Sequence, residues 1–207
     1  MPDTARTQRD LRLSSPAVRT AAGIASLALA AAVSWSGLLL VVRGRVIPGW
    51  EVSGALLVLA LVVRRALLKA ARDTETVRPA RKRVTPVRLG EGLLLGAAVL
   101  GTAWGAGDDL ISDARYHVLS PTGPGGCTAV VRETSFLVVG NGEAYAVGHT
   151  GLALGESGSW TVDDGYRPVA AGTYALRWGR DAGVLRVSGT NTDPVVRGGL
   201  TDVSCDW

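Results

Sequence analysis

The chain has 207 residues, 47% of them hydrophobic, with a formal net charge of +4 at pH 7 and a mean hydropathy of +0.22. That hydropathy is high for a soluble protein and low for a polytopic transporter, so the composition favours a membrane anchor joined to one water-soluble domain. Residues 1–106 carry 15 Arg and Lys against 6 Asp and Glu, and this charge flanks apolar segments, so anionic lipid headgroups are favoured as partners and nucleic acid is not.

Three apolar runs predict three transmembrane helices, at residues 20–42, 46–63 and 89–107. At a rise of about 1.5 Å per residue, the first run is long enough to cross a hydrocarbon core of about 30 Å. Glu51 and Glu91 lie near the starts of the second and third runs, so we expect both at the membrane interface. The first run is either an uncleaved signal anchor or a cleaved signal peptide, and its length favours the anchor.

The distribution of Arg and Lys predicts the orientation of these helices. The tail of residues 1–19 has four, the short loop of residues 43–45 has two, and the basic segment of residues 64–88 has nine. Since loops rich in Arg and Lys stay in the cytoplasm, the tail and the basic segment are expected inside, and residues 108–207 outside. We expect anionic lipid to hold one basic cluster, which consists of Arg64, Arg65, Arg81, Lys82 and Arg83.

The residue usage also indicates a source. Arg outnumbers Lys 20 to 2, and Ala, Gly and Val are abundant, which is typical of a GC-rich bacterial genome. With the predicted orientation, this indicates a bacterial plasma-membrane protein.

Glycines in the third run repeat a small-xxx-small spacing, at Gly92 and Gly96 and again at Gly101 and Gly105. Such spacing lets helix backbones approach closely. It predicts packing of this helix against the other two spans, against a protein partner or against a second copy. The high glycine content of the chain explains the spacing equally well.

Residues 108–207 change to short alternating runs broken by Gly, Asn and Asp, which is typical of a small all-β domain. Strands are predicted at residues 116–119, 127–133, 151–154, 160–163, 194–197 and 203–205. Together with two hairpins, these short strands predict a sandwich or a partly open barrel. The fold class is therefore an α + β membrane protein with three transmembrane helices followed by this extracytoplasmic domain.

The first hairpin is predicted over residues 136–147. Asn141 and Gly142 are the residues that a type I′ turn prefers, and that turn would set Val138 opposite Tyr145. Both faces of the hairpin are apolar, so we expect it at the centre of a sheet.

The second hairpin is predicted over residues 173–188, with a loop at residues 180–183 that sets Arg177 directly opposite Arg186. Like charges opposed on a sheet are unfavourable unless an anion or an acidic neighbour offsets them. The pair is therefore a candidate anion patch, an ion-pair cluster with Asp163 or Asp164, or two solvated arginines.

Cys127 and Cys205 are the two cysteines of the chain, and both lie in the predicted extracytoplasmic domain. Disulfides form and persist in oxidising compartments outside the cytoplasm. The sequence therefore predicts one disulfide that joins the second predicted strand to the end of the domain.

Residue patterns for catalysis are sparse. His117 and His149 have no metal-ligand spacing, and no known catalytic or nucleotide-binding motif is present, so no catalytic, cofactor or metal residue is predicted. Residues 163–165 (Asp-Asp-Gly) predict a tight turn rather than a calcium loop. The sequence favours a non-enzymatic binding or interaction module. The alternatives are a subunit or modulator of a membrane complex that acts through its helices, and an enzyme with an unrecognised site.

Overall fold

The computed structural model describes residues 16–74 and 86–205, which form three helices and three antiparallel sheets. The helices are α1 (Pro16–Trp35), α2 (Gly49–Thr74) and α3 (Pro86–Ile111). The predicted tail up to residue 15 and the basic residues Arg81, Lys82 and Arg83 lie outside the described residues.

Eleven strands are present in the described residues. They are β1 (Leu38–Val42), β2 (Arg45–Pro48), β3 (Arg115–Val118), β4 (Thr128–Phe136), β5 (Val139–Val147), β6 (Leu152–Leu154), β7 (Gly158–Asp163), β8 (Tyr174–Trp178), β9 (Ala182–Val187), β10 (Val196–Arg197) and β11 (Leu200–Ser204). The sheets have the orders β2-β1-β6, β10-β7-β5-β4-β3 and β11-β9-β8.

The first predicted transmembrane run is wrong beyond Trp35, because residues 38–42 form β1 instead of helix. Gly37 takes a φ of +59°, the left-handed conformation that commonly ends a helix. The strand that follows pairs with β2 and with the distant β6. The predicted loop of residues 43–45 is consequently the tip of a β-hairpin, and the second helix begins at Gly49 instead of residue 46.

The other helix ends also differ from the predicted spans. Helix α2 continues to Thr74, well past residue 63, and α3 extends from Pro86 to Ile111. Part of the predicted basic loop is therefore helical. Among the described helices, α3 alone is long and apolar enough over Leu89–Ile111 to span a membrane, and α1 holds a shorter apolar stretch at Gly23–Trp35. Three spans are not established by this criterion and stay a proposal.

The predicted all-β domain is confirmed as a two-sheet packing. Side chains of the five-stranded sheet, including Val131 and Trp160, share one core with Leu185 and Val203 of the β11-β9-β8 sheet. The predicted disulfide is also present, with the Cα atoms of Cys127 and Cys205 5.9 Å apart.

The predicted turn at Asn141 and Gly142 is wrong, because the β4–β5 hairpin turns at Leu137 and Val138. Val130, and not Val138, lies opposite Tyr145. The observed register forms nine residue pairs, whereas a turn at residues 141–142 would leave most of β4 without this partner. The longer ladder therefore outweighs the better turn sequence. The central position of the hairpin is confirmed.

The predicted register of the second hairpin is also wrong, by two residues. Arg186 lies opposite Ala175, and Arg177 lies opposite Val184. Gly179 N–H donates to the Ala182 carbonyl at 2.8 Å, which closes a tighter loop than predicted. The two arginines stay on the exposed face but are diagonal neighbours, so the direct like-charge opposition is absent.

Candidate functional site

A partly buried polar region lies at the junction between the helices and the β domain. The face of the five-stranded sheet that points away from the sandwich core packs against the β2-β1-β6 sheet. Leu39 of β1 and Ala153 of β6 share a core there with Val130, Tyr145 and Val147. Because β1 and β2 connect α1 to α2, this small sheet joins the helices directly to the β domain.

A network of hydrogen-bonded side chains lies beside this core, and we call it the junction cluster. Its members are Trp50, Asp108, Asp109, Tyr116, Arg132, Glu143 and Tyr145. Trp50 comes from the start of α2 and the two aspartates from the last turns of α3, while the others come from β3, β4 and β5. The cluster therefore connects two helices to three strands.

Asp109 is the acceptor at the centre of the junction cluster. Its Oδ2 accepts from Trp50 Nε1 at 2.7 Å and from the Tyr116 hydroxyl at 3.0 Å. Its Oδ1 accepts from Arg132 Nε at 3.0 Å and Nη2 at 2.7 Å. A two-pronged arginine–carboxylate contact of this kind fixes orientation as well as charge.

Arg132 is the cation of the cluster, and its side chain is only 13% exposed. Beyond Asp109, it donates to Asp108 through Nη2 and to both carboxylate oxygens of Glu143 at 3.3 Å through Nη1. The Tyr145 hydroxyl donates to Glu143 at 2.6 Å. Three carboxylates thus share one arginine, so its removal would leave an uncompensated negative cluster.

The electrostatics of the cluster keep its tyrosines protonated. Burial raises the pKa of Tyr116, and the negative charge of Asp109 raises it further. Burial and the neighbouring Glu143 raise the pKa of Tyr145 in the same way. Burial opposes the charge of Arg132, but the hydrogen bond to Asp109 and the charge of Glu143 outweigh it, so the arginine pKa rises. The cluster has the properties of a rigid structural clamp.

A cavity of about 590 Å³ opens next to the cluster, between the tip of the β1–β2 hairpin and β3. We call it the hairpin cavity. It is lined by Gly44, Arg45, Val46, Tyr116, His117, Val118, Leu119, Val169 and Tyr174. Its volume is within the usual range for small-molecule sites, and its polar lining groups are an arginine, a histidine and two tyrosines.

Behind the cavity wall lies Glu133, whose side chain is only 1% exposed. Its carboxylate accepts the backbone N–H of Val169 at 2.8 Å and of Ala170 at 2.9 Å, and so holds the loop that forms one side of the cavity. His117 Nε2 lies 3.5 Å from Glu133, close enough for an ion pair. No hydrogen bond joins the two, and among the described residues that buried nitrogen has no hydrogen-bond partner.

The structure separates the two predicted glycine pairs. A Cβ on Gly101 would overlap Ser34 at the end of α1, and one on Gly105 would lie 3.0 Å from Trp50 Cβ. A Cβ on Gly92 or Gly96 would meet nothing within 4 Å. The second pair therefore serves close packing within the protein, and the first pair leaves an open helix face.

The remaining predicted residues lie apart from the junction. Arg177 and Arg186 are exposed on the β11-β9-β8 sheet, and the anion patch stays a prediction. Asp163 forms an ion pair with Arg197 at 3.6 Å, and the tight turn predicted at residues 163–165 is confirmed by positive φ at Asp164 and Gly165. Arg64 and Arg65 are exposed in the second half of α2. His149 is exposed in a turn.

Metal ligation has no support among residues 16–74 and 86–205, where no group of three His, Cys, Asp or Glu side chains could hold an ion.

Neither a known protein family, nor a curated protein, nor a solved structure matches this chain. The geometry alone therefore carries the functional argument.

Proposed function

We propose that this chain is a membrane-anchored bacterial envelope protein whose extracytoplasmic β domain is a binding module. In this proposal three helices cross the plasma membrane, the N-terminus is inside, and the hairpin cavity binds the ligand. The junction cluster holds the β domain in a fixed position at the outer surface of the plasma membrane.

The observation that carries the proposal is the apolar outer surface of the three-helix bundle. The inside holds small residues beside leucines, since Ala30 and Ala98 are buried together with Leu27 and Leu57. The fully buried Ser53 hydroxyl donates to the Ala30 carbonyl at 2.9 Å. Large apolar side chains point outward, among them Val62 and Leu93. Water disfavours such a surface, whereas lipid accommodates it, and buried Ala and Ser are typical of membrane helix contacts.

Two further features support the proposal. Each helix has at least 20 residues, which corresponds to about 30 Å, the thickness of a hydrocarbon core. The disulfide lies in the β domain, and disulfides persist outside the cytoplasm.

Thiol labelling of intact cells tests the topology. We expect a membrane-impermeant maleimide to label Ser159→Cys, which is exposed on β7, in intact cells. We expect it to label Thr74→Cys, at the far end of α2, only after permeabilisation. The native cysteines form a disulfide and give no background. The reverse pattern, or recovery of the chain in the soluble fraction, would contradict the proposal.

Native mass spectrometry from mild detergent tests the binding role. We expect a copurified small molecule on the wild-type protein and its loss in Val118→Trp, which fills the hairpin cavity. The matched control is Val195→Trp, an exposed position away from the cavity, which should retain the adduct. Equal occupancy of all three proteins would remove the cavity from the proposal.

A second candidate function is that of a subunit of a membrane complex, and the open face at Gly92 and Gly96 favours it. In lipid, two glycines one turn apart allow close contact with another helix. In-membrane crosslinking of wild type against Gly96→Leu tests this role. Loss of a crosslinked species in the variant supports it, and a monomer in both proteins counts against it.

A further inference from the structure

The β4–β5 hairpin ends in four consecutive large apolar side chains that the fold leaves exposed. Leu137 is 84% exposed and Val138 66%, and their neighbours Phe136 and Val139 are exposed as well. We call these four residues the apolar tip. Hairpin turns in water normally carry Asn, Gly or Asp at this place. The composition of the tip is therefore not explained by the turn.

The backbone of the tip is held in a fixed shape. Leu137 has a φ of +55°, a conformation that favours glycine and is unfavourable for a leucine. The Val138 carbonyl accepts the N–H of Gly165 at 3.2 Å, and a Cβ on Gly165 would lie 2.5 Å from Ser135 Oγ. The neighbouring turn thus supports the tip and keeps its apolar side chains pointing outward.

The tip lies beside the end of α3. Ser135 N–H, immediately before the tip, donates to the carbonyl of Ser112 at 2.7 Å, directly after the helix. The last two residues of α3, Leu110 and Ile111, are exposed apolar side chains. Two exposed apolar surfaces are therefore adjacent, and one belongs to the helix whose length and composition suit a membrane span.

Charged groups also lie near the tip. The exposed Asp163 is opposite Val139 and forms an ion pair with Arg197 at 3.6 Å, and the exposed Asp164 follows it. Asp113, which follows the helix end, is paired with Arg115 at 3.3 Å and with Arg167 at 2.9 Å. Its negative charge is therefore compensated by two arginines, so it does not repel anionic headgroups. The tip itself contains no charged residue.

We propose that the apolar tip inserts into the interfacial region of the outer bilayer leaflet beside α3, as a second membrane contact of the β domain. This inference rests on the proposed function, because α3 must span the membrane for the tip to meet lipid. A bilayer fits better than a protein partner because the tip is continuous with the lipid-facing end of α3. It would fix the β domain at two points, the junction cluster and the tip.

Environment-sensitive fluorophores on single cysteines test the proposal. The full chain is reconstituted into vesicles of phosphatidylcholine and phosphatidylglycerol, with the label at Leu137→Cys, at Leu93→Cys on α3, or at Val195→Cys on an exposed loop. Lipids that carry a nitroxide near the headgroup quench a label that lies at the interface. We expect at least about threefold more nitroxide quenching at residue 137 than at residue 195, together with protection from aqueous iodide.

The three positions distinguish the two proposals. Nitroxide quenching at residue 93, with residue 137 behaving like residue 195, overturns the tip proposal and leaves the membrane span intact. Absence of quenching at residue 93 overturns the proposed function and this inference with it. Protection of residue 137 from iodide without lipid quenching indicates a protein on the tip and overturns lipid insertion.

A turn-optimised variant guards against misfolding as an explanation. Leu137→Gly with Val138→Ser gives the turn its preferred residues, because only its first central residue has a positive φ, so we expect an unchanged or higher Tm and an intact disulfide. A label at Phe136→Cys should show nitroxide quenching in the otherwise unmodified chain and lose most of it in this background. Unchanged quenching in the turn-optimised background would overturn the proposal.

Discussion

Arg132 shows how one residue can hold two parts of the molecule together. It is the only cation in a cluster with Asp108, Asp109 and Glu143, and it lies where β4 meets the end of α3. Nothing in the local pattern distinguishes it from a surface arginine on an alternating strand. The one signal in the sequence was Asp108 and Asp109 directly after the third apolar run. Carboxylates at such a position need a cation as partner when the β domain packs on them.

We expect Arg132→Met to lower the free energy of unfolding by about 3 kcal/mol or more, because it leaves partly buried carboxylates unpaired. Denaturant unfolding in mild detergent, followed by circular dichroism, measures this change. The matched control is Arg197→Met, whose ion pair with Asp163 is largely exposed and should contribute less than about 1 kcal/mol. Similar losses in the two variants would contradict the structural role of the junction cluster.

We expect the folded protein to lose stability at alkaline pH because of the two tyrosines in the junction cluster. Tyr116 and Tyr145 have raised pKa values in the folded protein, through burial first and then the adjacent carboxylates. A tyrosine in the unfolded chain has a pKa of about 10. Above that pH the unfolded chain loses these protons while the folded protein keeps them, so the folded state binds more protons than the unfolded state. Their contribution to stability is therefore complete below about pH 10 and is lost as the pH rises further.

Parallel titrations by phenolate absorbance and circular dichroism check this expectation. The ionisation of Tyr116 and Tyr145 should coincide with unfolding, and a Tyr116→Phe, Tyr145→Phe protein should lack that part of the absorbance change. Ionisation of both residues in a still folded protein would show that the cluster does not protect them.

At the scale of elements, strand pairing and not the turn sequence Asn141-Gly142 sets the register of the β4–β5 hairpin. The glycine of the Asn-Gly pair lies within β5, and a Cβ on Gly142 would overlap the Trp160 indole of β7. Gly142 is thus needed for close packing instead of for a positive φ. Both predicted hairpins were displaced by an even number of residues, and such a slip leaves every side chain on the same face.

We expect Gly142→Ala to destabilise the β domain by about 2 kcal/mol, because Trp160 must move to admit the methyl group. Thermal unfolding together with tryptophan emission measures the loss and the displaced indole. Thr161→Ala, an exposed neighbour on β7, serves as the control and should change stability little. An unaffected Gly142→Ala protein would be incompatible with the observed contact.

For the whole molecule, the disulfide and the β1–β6 pairing at the junction link different segments of the chain. The disulfide joins residues 78 positions apart within the β domain. The β1–β6 pairing joins the segment between α1 and α2 to the β domain, with Leu39 opposite Ala153. Neither link depends on the other, so reduction should weaken the β domain without releasing it from the helices.

In the chain-entropy model, closing a loop of this length contributes about 4.5 kcal/mol to stability. We expect reductant, or replacement of Cys127 and Cys205 by Ser, to lower the Tm of the β domain. Differential scanning calorimetry in detergent measures this change, and reductant should have no effect on the double Ser protein. A Tm that does not respond to reductant in the wild type would argue against a stabilising disulfide.

The sequence by itself determined the features that depend on composition or on residues close together in the chain. It predicted three helical regions, an all-β domain after them, the cysteine pairing and the tight turn at residues 163–165. The tertiary structure alone decided that the residues after Gly37 form a strand, and it alone set the two hairpin registers, the β1–β6 pairing and the junction cluster. The physical reason is that these features depend on partners distant in sequence: Leu39 becomes a strand residue because Ala153 and Pro48 pair with it, and no local pattern records that choice.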